Sequence, residues 1–220
     1  MKITIVYDNE AYQKDLTADW GFSCLVEVHG RKILFDTGAK GEILLANMEK
    51  LSIDPLAIDT IFISHSHWDH TGGLATLLDL NPVRVFIPQS CPSPEGAAEV
   101  IKVRKPGRLD DDNNKFFSSG ELDSIEQALA VKIPQGLVVI VGCSHPGVRN
   151  ILHSLAPFGK PFALIGGLHG FSDFQAISNL AVVCPAHCTK HASKIQPLFP
   201  EKYTSGGAGK VITFQGGLND

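Results

Sequence analysis

Ser64-His65-Ser66-His67-Trp68-Asp69-His70-Thr71-Gly72-Gly73 sets three imidazoles and a carboxylate within six consecutive positions, directly behind the apolar run Thr60-Ile61-Phe62-Ile63. A short apolar run of this kind, stopped by polar residues and glycines, reads as a buried strand over 60–64 that ends in a loop. Imidazole nitrogen and carboxylate oxygen are ligands for borderline cations such as zinc, manganese and iron(II), and a solvated surface loop has no physical reason to gather them. The stretch therefore predicts a metal loop at a strand end. A short helix follows over 73–80, closed by Asn81-Pro82.

Upstream, apolar residues alternate over 3–7, 23–28 and 32–35, which predicts strands, the last two joined as a hairpin at His29-Gly30-Arg31. Ile43, Leu44, Met48 and Leu51 share one face of a helix over 41–51. Downstream, another strand is expected at 83–87. From 88 to 120 the chain turns polar, carries the run Asp110-Asp111-Asp112-Asn113-Asn114 and loses its periodicity, so an irregular loop or cap is expected there. The second half repeats the style. Strands over 128–133 and 137–141 flank Pro134-Gln135-Gly136, and a helix over 148–155, a strand over 162–165 and a helix around 174–180 follow. A strand over 181–184, a helix over 192–198 and a last strand over 210–214 complete the series. Two halves, each a sheet with helices outside, predict an α/β fold built as a four-layer αββα sandwich. At 220 residues this is one domain over 1–220.

With 44% hydrophobic and 19% charged residues the chain has material for a large core and lacks the composition of a disordered one. A formal net charge of -4 gives no basic field for a polyanion, which argues against nucleic acid as the main partner. No apolar run approaches the roughly 18 residues that a membrane span needs, and no signal-peptide pattern opens the chain, so a cytoplasmic protein is expected. The odd count of five cysteines suits a reducing compartment. They read as ordinary thiols, although Cys143 and Cys188 stand close to histidines.

His65-Ser66-His67-Trp68-Asp69-His70 resembles the HxHxDH signature of the metallo-β-lactamase superfamily, and further motifs of that family occur in the expected order. Phe35-Asp36-Thr37-Gly38 resembles its upstream aspartate motif, Cys143-Ser144-His145-Pro146-Gly147 its third-histidine motif and Pro185-Ala186-His187-Cys188 its last-histidine motif. Tyr7-Asp8-Asn9-Glu10 and Trp20-Gly21-Phe22 narrow the likeness to the branch of metal-dependent hydrolases related to 7,8-dihydropterin-6-yl-methyl-4-(β-D-ribofuranosyl)aminobenzene 5'-phosphate synthase. The resemblance implies one or two divalent metal ions, zinc first, with manganese or iron as alternatives. It assigns His65, His67 and His145 to one cation, and Asp69, His70 and His187 to a second. Asp69 is then a ligand, a general base steering the attacking hydroxide, or both. Asp36 is expected behind a ligand histidine, orienting it.

One motif departs from the family. Where a bridging aspartate is usual, this chain runs Leu164-Ile165-Gly166-Gly167-Leu168-His169-Gly170. A carboxylate bridges two cations and a neutral imidazole binds one, so either His169 is a terminal ligand of the second metal or the centre works with one. Pro146-Gly147 would begin a helix whose free amides point into the site, an anion pocket joined by Ser144, Arg149 and Lys190, with Asp8 and Asn9 at its edge. The implied activity is hydrolysis of an ester-type bond in an anionic small molecule by metal-bound hydroxide, phosphoester ahead of lactone or thioester. A pterin-pyrophosphate condensing transferase is the second reading, and an iron-containing redox or metabolite-sensing protein the third.

Overall fold

Along most strands successive side chains divide between two buried faces, and that division sets the architecture seen in a computed structural model describing residues 1–109 and 115–215. In chain order the strands are β1 (Lys2–Tyr7), β2 (Ser23–Val28), β3 (Arg31–Phe35), β4 (Thr60–Phe62), β5 (Arg84–Pro88), β6 (Glu99–Val103) and β7 (Gly107–Arg108). They continue as β8 (Phe116–Ser118), β9 (Leu129–Ile133), β10 (Gly136–Val141), β11 (Pro161–Gly167), β12 (Val182–Ala186) and β13 (Val211–Thr213). The helices are α1 (Gly41–Lys50), α2 (Trp68–Thr71), α3 (Leu74–Leu80), α4 (Val148–Leu155) and α5 (Ala192–Leu198). One sheet has the order β13-β1-β2-β3-β4-β5-β6 and the other β12-β11-β10-β9-β8-β7.

Ile3, Ile5, Val26, Phe35 and Phe62 of the first sheet meet Leu129, Val131, Val138 and Ile140 of the second in the core between them. Their neighbours Val6, Leu25, Leu34 and Ile61 point the other way, onto Leu44 and Met48 of α1 and Leu77 of α3. On the far side Leu137, Val139 and Leu164 pack against Ile151 and Leu155 of α4 and Ile195 of α5. Helix, sheet, sheet, helix is the predicted αββα sandwich. Strands covered on both faces have no polar side to expose, hence their nearly continuous apolar sequences.

Three expectations are corrected. The 88–120 stretch supplies β6, which pairs in parallel with β5, and β7 and β8, which extend the second sheet from β9. These strands are two to five residues long and lie towards the sheet edges, too short for alternation to declare them; the acidic run at 110–114 lies outside the described residues. The last strand joins the first sheet, not the second, with Lys2 opposite Thr213. The helix expected around 174–180 is a 3-10 turn, Phe174–Ile177. Among the described residues, no helix is long and apolar enough to cross a membrane.

Strand direction places the site. β3, β4 and β5 are parallel, as are β10, β11 and β12, so each sheet delivers its carboxyl ends along one edge. Asp36, Ser64, Gly142, Leu168 and His187 lie one or two residues beyond those ends. The loop that crosses α1 on the way there is held by Asn47, which is fully buried. Its Nδ2 donates to the carbonyls of Val6 and Thr17 and its Oδ1 accepts from Thr17 N, each at 2.9 Å. Asn47→Ala should cost about 3 kcal/mol in urea denaturation, because it leaves buried backbone groups unpaired.

Candidate metal centre

Beyond β3 the backbone turns at Asp36 through a positive φ of 52°, which carries its carboxylate under the metal loop. Asp36 is fully buried. It accepts from Ser64 N at 2.7 Å, Ser64 Oγ at 2.6 Å and His70 Nδ1 at 2.7 Å. Having donated its one proton to Asp36, the Ser64 hydroxyl accepts from His65 Nδ1 at 2.8 Å. The same carboxylate therefore sets two tautomers: His65 and His70 both carry hydrogen on Nδ1 and turn a bare Nε2 inward. Burial opposes a charge on His70, yet the Asp36 carboxylate and its hydrogen bond raise the imidazole above its usual range.

The second sheet answers with Glu126, between β8 and β9. Its Oε1 accepts from the amides of Gly142, Cys143 and Ser144 at 3.2, 2.9 and 2.9 Å, and its Oε2 from His145 N at 2.8 Å. Burial pushes the Glu126 carboxyl up, and the amides pull it back. The adjoining Gln127 donates from its backbone to Ser64 O and from Nε2 to Ile63 O, both at 2.9 Å. Two neighbouring residues thus tie the first-sheet loop to the second-sheet loop. Gly142 permits the approach, since a Cβ there would strike the Ser64 side chain.

His187, at the end of β12, is held from the amino-terminal side. Asp8 accepts from His187 N, Asn9 N and Gly207 N, each at 2.8 Å. Asn9 Oδ1 lies 2.9 Å from His187 Nδ1 while its Nδ2 donates to His187 O at 3.1 Å. A third Nε2 is thereby turned inward.

These nitrogens converge. His65 Nε2 and His67 Nδ1 are 3.0 Å apart, and the His65 and His67 rings each lie 5.0 Å from that of His145. Ligand atoms of His65, His67 and His145 fall within 4.8 Å of one another, as do those of Asp69, His70 and His187. The Nε2 atoms of His145 and His187 are buried without a hydrogen-bond partner. Orphaned acceptors that face other lone pairs are costly alone and fit a cation between them. Burial and then His70, His67 and His145 hold His65 far below its ordinary range, and His145 is lowered to about 4 by burial, then His67 and His169. For Asp69, burial is outweighed by the adjacent His187 and His70 imidazoles, which hold the carboxyl well down. Trp20 Nε1 donates to its Oδ2 at 2.8 Å, and His187 Nε2 lies 3.3 Å from the same oxygen.

Other sequence candidates sit differently. His169 is exposed with a φ of 44°, its ring 5.0 Å from that of His145, and it belongs to none of the close ligand groups among the described residues. The donors expected to form an anion pocket are engaged within the chain: Ser144 Oγ donates to Gly167 O at 2.8 Å and Gly147 N to Ser144 O at 2.9 Å. The exposed Arg149 grips Asp173 at 2.6 and 2.9 Å, and Lys190 is exposed. A half-open cleft of ≈ 510 Å³ flanks the metal loop, with Ile63, Ser66, Thr71, Leu74, Cys91 and Pro92 among its walls. Glu126, Gln127 and the Trp20 contact escape sequence reasoning, because lone residues in polar stretches carry no spacing signal.

The family model described as Metallo-beta-lactamase superfamily matches residues 18–147. The chain is 28% identical to a Methanocaldococcus jannaschii protein named 7,8-dihydropterin-6-methyl-4-(beta-D-ribofuranosyl)-aminobenzene-5'-phosphate synthase, over 96% of this chain and 95% of that protein. A second M. jannaschii protein, described as uncharacterized, is 26% identical over 96% of this chain and 99% of its own length. A solved structure described as a metal-dependent hydrolase of the beta-lactamase superfamily superposes with a TM-score of 0.78 at 28% identity, covering 97% of this chain and 99% of that one.

Glu126→Ala should release four amides and lower divalent-metal content on dialysis at least tenfold by mass spectrometry, while circular dichroism keeps both sheets. A histidine lowered on folding leaves the unfolded chain to take up the extra proton, so its contribution is complete above the unfolded value and declines as pH falls through it. For metal-free protein, the melting temperature of His145→Asn relative to wild type should therefore rise on going from about pH 7 to about pH 5.

Proposed function

The chain belongs to the metallo-beta-lactamase superfamily, and on that footing we propose that it is a metal-dependent hydrolase of an ester-type bond, phosphoester ahead of lactone or thioester. The observation that carries this reading is the convergence of inward-facing, hydrogen-bond-oriented imidazole nitrogens from both sheets, two of them buried without partners. His65, His67 and His145 would hold one cation, and Asp69, His70 and His187 the other, with His169 at the rim. Zinc is the favoured metal, since the donor set is rich in imidazole and manganese prefers oxygen. Bound there, divalent metal supplies acidified water, polarisation of a substrate oxygen and the positive charge that an anionic substrate needs.

The chain's own residues do the rest. Asp69, braced by Trp20, stands where it can take a proton from an attacking water and return it to the leaving group. Asp36 and Asn9 keep the ligand imidazoles in one tautomer, and the cleft walled by Leu74, Cys91 and Pro92 receives the apolar part of a small molecule. A cytoplasmic setting agrees with five free cysteines. The likeness to the M. jannaschii synthase favours a second reading, transfer of a pterinylmethyl group from its pyrophosphate to an arylamine.

Zinc-loaded protein should hydrolyse at least one member of a panel of phosphomonoesters, phosphodiesters, lactones and thioesters, lose activity to chelator and regain it with zinc. Asp69→Asn should lower kcat about 100-fold or more. Pyrophosphate release that requires an arylamine, with no ester turnover, would decide for the transferase.

A further inference from the structure

Two sulfur atoms lie among the imidazoles. Cys143 Sγ is 3.2 Å from His70 Nε2. Ligand atoms of His65, His70 and Cys143 fall within 4.8 Å of one another, and so do those of Cys143, His187 and Cys188. Cys143 therefore belongs both to a group containing His65, whose Nε2 faces His67, and to a group containing His187, whose Nε2 faces Asp69. It thus shares a ligand group with residues of each set.

That place calls for an anion. Two divalent cations side by side repel, and a charge shared between them offsets the repulsion. No aspartate or glutamate joins Cys143 in either group, and β11, which runs Gly166-Gly167 into Leu168-His169, offers no carboxylate. A neutral imidazole has one lone pair to give, whereas a thiolate sulfur has several and accommodates two metals. The local structure presents the sulfur inward: Cys143 is buried, its amide is fixed by Glu126, and Ser144 beside it takes a positive φ of 61°. Gly167 leaves room for the second sulfur, since a Cβ there would lie 2.8 Å from Cys188 Sγ, and Cys188 Sγ in turn sits 4.0 Å from Cys143 O. Neither sulfur is in a disulfide.

We propose that Cys143 Sγ is the ligand shared by the two metal positions, taking the place of a bridging carboxylate. Coordination releases the thiol proton to solvent and leaves a thiolate on the metals. The sulfur biases the centre toward thiophilic cations such as zinc, cobalt(II) or iron(II) and against magnesium or manganese. The assignment rests on the histidine cluster being a metal centre and adds a ligand to it.

Cobalt(II) titrated anaerobically into metal-free full-length protein is the probe. Wild type should develop an intense sulfur-to-cobalt charge-transfer band in the near ultraviolet, which Cys143→Ser abolishes and Cys91→Ser leaves intact. X-ray absorption of zinc-loaded wild type should show a sulfur scatterer at about 2.3 Å, a result that needs no variant and stands should Cys143→Ser fail to fold. Metal bound with only nitrogen and oxygen neighbours overturns the proposal and leaves the histidine centre standing. A band that survives Cys143→Ser and disappears in Cys188→Ser overturns it as well. If wild type takes up neither cobalt nor zinc, both readings fall.

Discussion

A carboxylate taken fully out of water has to be met by donors, and Asp36 draws all three of its donors from the metal loop. That requirement is the constraint on which the first-sheet half of the site depends. The loop cannot drift, because moving it would strip a buried charge at a cost of several kcal/mol. The same three bonds settle where hydrogens sit on His65 and His70. Position, orientation and protonation of two candidate ligands thus follow from one side chain that touches no substrate.

Glu126 solves the corresponding problem on the second sheet with backbone donors. Four consecutive amides, Gly142 to His145, wrap one carboxylate and make a tight cup from which Cys143 and His145 project. With Gln127 bonded across to Ile63 and Ser64, the two sheets are registered at the site and not merely through the core. Such exact placement carries strain. Asp36, Ser144, His169 and His187 all take positive φ without being glycine, each at a cost of order 1–3 kcal/mol. Four such residues at the strand ends of one edge mark where the scaffold gives up stability for geometry, and the carboxylate-amide bonds offset it.

The sandwich was legible because its strands are buried on both faces and its helices on one, so short continuous apolar runs and helical spacing each leave a trace. The metal loop was legible because its donors are consecutive. β6, β7 and β8 were not, since such short strands, at an edge or next to one, borrow their register from a neighbour. Glu126 was not, since its partners lie sixteen to nineteen residues away and are backbone amides, which every sequence possesses. Proximity along the chain misled in the case of Arg149: four residues from His145, it sits on the exposed face of α4 and is turned to Asp173. What sequence conveys poorly is any arrangement in which the informative atom belongs to the main chain.

The pairing of β1 with β13 has a consequence for the order of synthesis. Met1 N donates to Phe214 O across 213 positions, and Gly207 N reaches back to the Asp8 carboxylate that seats His187. β1 is synthesised well before its edge partner β13, so that edge of the first sheet stays open until the intervening chain has followed. Contacts of such separation form slowly, and an unpaired strand edge is meanwhile a template for other chains. The Asp8 carboxylate that seats His187 is therefore fully met by donors only after the segment leading into the closing strand has docked.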